Sequence, residues 1–180
     1  MENESANLAR TRTILLGLPI NDEVASQIIA KLLFLQNRDA RAPIQLFVNS
    51  PGGSVTAGIA ILKKMDELKL PIRTHCLRFC GGVATTVLAH GAKGMRTASP
   101  DSQISLSRVY GGNPKGRTQT QIDLEVERVT NALLTEMADD TGQTTDQLSK
   151  DMAEERFFAP DDAREYGLID NVIAPSISSP

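Results

Sequence analysis

Residues 79–94 read FCGGVATTVLAHGAKG: a glycine pair, a run of small and β-branched residues, then a second Gly-x-x-Gly. The segment before it, IRTHCL (72–77), has the β-branched and apolar content of a strand. The order is therefore strand, tight turn, apolar helix. Such a turn usually presents a nucleophile at a helix N-terminus, where free N–H groups and the helix dipole favour developing negative charge. Here the tip is Gly81-Gly82, which carries no side chain.

A second stretch repeats the design. IQLFVN (44–49) is a β-prone run stopped by Ser50-Pro51-Gly52-Gly53, and a helix with Ile59, Leu62, Met65 and Leu68 on one face follows. Working outward, TILLGL (13–18) reads as a short strand broken by Gly17 and Pro19. Asn21 or Asp22 caps a helix carrying Val24, Ile28, Ile29, Leu32, Leu33 and Leu35. QISLS (103–107) is a fourth strand, and GGNPKG (111–116) a loop of breakers. A longer helix is expected over about 118–140, with Ile122, Val126, Val129, Leu133 and Met137 inward and Thr141-Gly142 ending it. Shorter helices near 144–152 and 160–166 precede Gly167, a C-cap, and a last strand in GLIDNVI. Alternation of strand and helix predicts parallel β–α units in one α/β domain. Both glycine turns would then lie at carboxyl ends of strands, where such sheets place ligands. Two N–H groups aimed at one spot would make an oxyanion hole; the plainer reading is a pair of tight turns.

The chain has 180 residues, 41% of them hydrophobic, with 4% aromatics and no Trp, which describes an aliphatic core of ordinary size. A net charge of −3 gives no electrostatic case for nucleic acid or an anionic membrane. The two cysteines, Cys76 and Cys80, lie four apart and read as reduced thiols. The N-terminal MENESANLARTR lacks the apolar stretch of a signal peptide, and no segment approaches a membrane span. A cytoplasmic protein is expected.

NSPGGSVTAG (49–58), AHGAKGMR (89–96), the glycine pair before a long helix, TGQ (141–143) and AREYGLIDNVI (163–173) together resemble the ClpP family. That family comprises the serine peptidases that form the proteolytic core of ATP-dependent Clp proteases. The resemblance runs from Thr13 to Ile173 with the motifs in order. It implies a ClpP/crotonase fold of repeated β–α units with a protruding handle at about 111–140. It also implies heptameric rings stacked in pairs around a chamber. On this reading residues 1–12 are a loose N-terminal segment, 13–174 one ClpP-like domain and 175–180 a tail.

The departures bear on function. The family's nucleophilic serine falls on Gly82 here, its general-base histidine on Ser107, and its aspartate on Glu155. Glycine has nothing to attack a carbonyl with, and a serine cannot take a proton near neutral pH as imidazole does. The backbone N–H groups of Gly53 and Val83 keep the family's oxyanion-hole positions. Glu154 stands where active members carry an arginine that couples the two rings, which makes it a candidate ring–ring contact. Phe47 keeps one aromatic of the groove where the ATPase docks, and Gln45 replaces another. Counting from Gly17, about sixteen fewer residues precede the first strand than in the family, much of an axial pore loop.

No other residue makes a ready substitute. Cys80 lies two positions before the tip, but His75 sits upstream on the same strand and His90 near the end of the following helix. Ser54, Thr85 and Thr86 lack a candidate base, and two scattered histidines with two close thiols form no recognisable metal set. No metal or cofactor is expected. The leading expectation is a catalytically inactive, ClpR-type subunit. It would assemble with active ClpP subunits in a mixed ring, with a Clp-type AAA+ ATPase as a further candidate partner, to degrade unfolded proteins. The alternatives are an active peptidase or esterase with a non-standard nucleophile, a crotonase-like thioester-binding protein, and a homo-oligomeric scaffold.

Overall fold

The computed structural model describes residues 10–110 and 116–173, which hold seven strands and six helices. Strand β1 (Thr13–Leu16) leads into α1 (Asp22–Arg38), and β2 (Ile44–Ser50) into α2 (Val55–Glu67). Strand β3 (Ile72–Gly81) leads into α3 (Val83–Ala89), followed by β4 (Arg96–Ala98) and β5 (Gln103–Ser105). Then come α4 (Gln119–Thr141), α5 (Thr145–Ala153), β6 (Phe157–Phe158), α6 (Pro160–Tyr166) and β7 (Asn171–Val172).

The order β1-β2-β3-β4-β7 is parallel throughout, and β5 pairs with β3 in parallel and with β6 antiparallel. One face of β1 and β2 is fully buried, with Ile14, Leu16, Ile44, Leu46 and Val48 at most 1% exposed, while Leu15 and Gln45 on the other face are exposed. The helices pack their apolar stripes on the sheet, and Ile28, Leu32, Ile61, Leu62, Val87 and Leu88 join one core.

The caps follow sequence chemistry. Asn21 accepts from the Val24 N–H at the start of α1. Thr118 and Gln121 close a reciprocal capping box on α4. Gly142 and Gly167 end α4 and α6 in the left-handed conformation.

Several boundaries and faces differ from the sequence-based expectations. The first strand ends at Leu16, where Gly17 breaks the run as expected, but other bounds shift. Leu33 is exposed, and α1 turns Ala25 inward instead. Ile59 is half-buried, with Ile61 holding the core position on α2. The third strand runs four residues past residue 77, so Gly81 is its last residue and Gly82 alone forms the tip.

A register shift makes that extension possible. Cys76 pairs with Val48 and Cys80 with Ser50, four residues of β3 against two of β2. Beyond this bulge β3 changes partner: Thr74–Cys76 lies beside β4, and Phe79–Gly81 beside β5. QISLS is therefore fifth in chain order, behind a strand, Arg96–Ala98, that contains a buried arginine. Its last two residues lie outside β5. The expected handle begins with residues 111–115, which are outside the described residues, and its helix spans Gln119–Thr141. Most of the expected N-terminal segment and the tail (1–9 and 174–180) are likewise outside them. Arg12 donates to the carbonyls of Pro43, Leu35, Asp39 and Ala42.

Candidate functional site

The two glycine turns meet. Gly52 has φ +91°, and a Cβ there would lie 2.5 Å from the Gly81 carbonyl oxygen and 3.3 Å from the Val83 nitrogen. Only a residue without a side chain lets the first turn close onto the second. Gly82, the N-cap of α3, has φ +50° and ψ −129°, a left-handed conformation that L side chains rarely adopt. The strand-to-helix elbow thus keeps its sharp backbone shape. Thr85 holds it from below, its hydroxyl lying 3.0 Å from the Cys80 carbonyl oxygen and 2.7 Å from that of Ser105. Gly58 of α2 packs directly under Val83, leaving no room for a methyl group.

A cavity of about 750 Å³ opens over this elbow. Gly53, Gly82, Val83 and Ser107 line it, with Arg108, Tyr110 and Arg117 adding polar groups, and Ile122, Val126, Val129 and Leu133 of α4 adding an apolar wall. Among the described residues neither the Gly53 nor the Val83 N–H has an acceptor. Both donors are thus available to an oxygen entering the cavity.

The structure brings Gly82 and Ser107 together: a Cβ on Gly82 would stand 3.1 Å from Ser107 Oγ. Glu155 is not with them. It follows Glu154, the C-cap of α5, has φ +52°, and does not line the cavity. Its carboxylate accepts a 2.7 Å hydrogen bond from the Tyr110 hydroxyl. Arg108 donates through Nε and Nη2 to the Ala153 carbonyl, so residues 108–110 are strapped onto the turn after α5. The hydrogen bond to Glu155 holds the Tyr110 phenol above its ordinary pKa.

Both histidines of the chain are engaged elsewhere. His75 Nδ1 lies 2.8 Å from Thr97 Oγ1 and Nε2 3.1 Å from Ser99 Oγ. Thr97 Oγ1 gives its proton to the Thr74 carbonyl, so His75 donates from Nδ1 and accepts at Nε2. Burial pulls its pKa below the ordinary value, in keeping with a neutral ring. Its ring meets Phe47 edge-on at 5.4 Å, leaving Phe47 half-buried on β2 with Gln45 exposed two residues earlier. His90, the C-cap of α3, lies between Asp140 and Asp66 at 2.8 and 2.9 Å.

The remaining candidates are bound into the frame. Cys80 is fully buried, with its thiol 3.7 Å from the Val48 carbonyl oxygen, and burial pushes its pKa well above the ordinary thiol value. A thiol in that state is a poor nucleophile. Both cysteines are free thiols. Ser54 caps α2, accepting from the Ala57 N–H. Thr86 is buried, and its hydroxyl has no partner among the described residues.

Charged features that sequence reasoning missed frame the far end of α3. Arg96, only 4% exposed, makes a two-pronged pair with Asp170 and donates to the carbonyls of Ala89, Asp140 and Gly167. A buried arginine inside a three-residue strand gives little local signal, because its partners come from elements 7 to 74 positions away.

A mainly parallel sheet carrying a sharp strand-to-helix elbow at Gly82, met by a second glycine turn at the rim of a cavity, defines an α/β protein with a ligand-sized site at the carboxyl ends of its strands. The chain matches the Clp protease family over residues 1–176 and belongs to it. Members of this family assemble as rings with ATPase partners. No helix among the described residues is long and apolar enough to cross a membrane.

Proposed function

We propose that this chain is a non-catalytic, ClpR-type subunit of a Clp protease core, entering a mixed ring in which active subunits cut the substrate. The observation that carries the reading is the pairing of Gly82 with Ser107 at the mouth of the elbow. The family's nucleophile and base positions face each other, and neither holds a group able to do that work. The position of the third member, Glu155, is occupied with Tyr110. The free Gly53 and Val83 N–H groups and the apolar wall of α4 would still receive an extended peptide without hydrolysing it. An oxyanion hole alone leaves roughly 10³–10⁴-fold acceleration over water, too little against an amide bond.

Ring assembly uses two different patches that fit each other on neighbouring subunits, so a chain that keeps both patches can join a ring of relatives. The exposed N-terminal half of α4 supplies the handle in this reading. Glu154 would face the opposite ring, where its charge favours a partner with a basic residue at the contact. Phe47, beside exposed Leu15 on β1, marks the ATPase-docking edge.

The test uses the purified chain alone and mixed with an active family member from the same cell. Peptide turnover, fluorophosphonate labelling and native mass are measured on each sample. The reading expects an unlabelled, inactive chain that enters a ring of about fourteen subunits with the partner. Turnover or labelling of the wild-type chain alone would overturn it.

A further inference from the structure

Three helices end at one place, at the opposite end of α3 from Gly82. Asp66 lies in the last turn of α2, His90 is the C-cap of α3, and Glu136 and Asp140 lie in the last two turns of α4. Each helix end carries about half a negative charge, and neither α3 nor α4 has a basic residue in its last turn. The cations nearby are committed to other groups. Lys93 donates to the carbonyls of Asp139 and Asp140, Arg96 pairs with Asp170, and Lys64 pairs with Glu67. Asp66 has His90 as its sole partner among the described residues, and Glu136 has none.

We propose that Asp66, His90 and Glu136 form a site for one divalent transition-metal ion, with Zn²⁺ as its representative. One ligand atom from each residue lies within 4.8 Å of the other two. The His90 ring is already oriented as a ligand, because Asp140 holds Nδ1 at 2.8 Å and so directs Nε2 at Asp66, 2.9 Å away. A carboxylate behind a histidine is the arrangement that orients metal-bound imidazoles and raises their basicity. Ligand atoms about 2.0 Å from a tetrahedral ion lie roughly 3.3 Å apart. The Nε2–Oδ1 contact of 2.9 Å would open by a few tenths of an ångström to admit the ion, and the exposed Asp66 and half-exposed Glu136 side chains can move to complete the set. Water would take the fourth position. The nitrogen ligand favours zinc-like ions over magnesium or calcium.

Binding exchanges one proton for one ion. Where Nε2 carries a proton toward Asp66, that proton leaves to solvent as the nitrogen's lone pair binds the metal. Affinity therefore rises with pH. The other groups facing the site are Asp66, Glu136 and Asp140, with Lys93 at its border. The bound ion would tie the ends of α2, α3 and α4 together about 10 Å from the elbow, the length of a seven-residue helix.

The full-length chain, stripped with chelator, is titrated with Zn²⁺, and Co²⁺ absorption reports the coordination. The result expected is one ion per chain, with about one proton released in buffers of differing ionisation enthalpy near neutral pH. Asp66→Asn and Glu136→Gln, both at accessible positions, should each weaken binding tenfold or more, and Asp140→Asn by about 10–100-fold. Glu127→Gln, an exposed carboxylate of α4 outside the cluster, should change nothing. Absence of stoichiometric binding would overturn the proposal. So would wild-type affinity in both Asp66→Asn and Glu136→Gln, or binding abolished by replacing Cys76 and Cys80 with serine.

Discussion

Replacing Gly82 tests whether the elbow is strained independently of what it carries. At φ +50° and ψ −129° a side chain is held in a sparsely populated region, which costs about 1–3 kcal/mol. The new Cβ would also sit 3.1 Å from Ser107 Oγ, a close contact that a rotating hydroxyl can relieve. Gly94 is the control, because it has φ +79° with nothing within 4 Å of an added Cβ. Gly94→Ala should cost the ordinary left-handed penalty of about 1–2 kcal/mol. Gly82→Ala and Gly82→Ser should cost at least as much, and Ser107→Ala in the same chain should recover only the contact. Urea denaturation at fixed protein concentration reads these differences as midpoint shifts at constant slope. A loss below about 0.5 kcal/mol at Gly82 would refute the reasoning, since surface changes alone fall within that range. Full recovery with Ser107→Ala would assign the cost to contact instead of backbone.

Four other outcomes are expected. Gly58→Ala forces a methyl group into Val83 and should cost about 1–3 kcal/mol by overpacking, with Val83→Ala returning part of it in a double-mutant cycle. Tyr166→Phe removes the 2.6 Å hydrogen bond to buried Asp151 and should cost about 1.5–3 kcal/mol, measured by the same denaturation. In metal-free buffer, stability should fall as pH rises above 6.5 through the folded-state value of His90. Burial opposes its charge, but Asp140 and Asp66 outweigh burial and raise that pKa, and His90→Asn should flatten this limb. A chain carrying Gly82→Ser, Ser107→His and Glu155→Asp should react with a fluorophosphonate more weakly than an active member unless Tyr110→Phe is added to free residue 155. Equal labelling with and without Tyr110→Phe would show that the strap does not matter.

The alternation of strands and helices was legible because parallel strands and amphipathic helices write burial directly into the sequence. Asn21, Gly142 and Gly167 cap where their side chains or backbone preferences require. The carboxyl half of β3 was less legible, because RFCG looks like the approach to a turn. Only the bulge that lets it leave β4 for β5 makes those residues a strand. Strands β4 and β6 have three and two residues, too few for a periodic signal, and Arg96 conceals the first. At the site, the tight turns came from local glycine chemistry, and the facing of Gly82 and Ser107 was expected from resemblance to a family. The bond between Tyr110 and Glu155 joins residues 45 positions apart on irregular backbone, where spacing carries no information.

The positive-φ backbone at residue 82 also gives substitutions there a direction. Glycine is the residue that this conformation tolerates most easily, so a change from serine to glycine relaxes the fold at once, whatever it does to chemistry. The reverse change strains the fold immediately, and on the proposed reading it would return no catalysis until a base stood at residue 107. Selection for stability alone would thus work as a ratchet at this position: a side chain there is easier to lose than to regain.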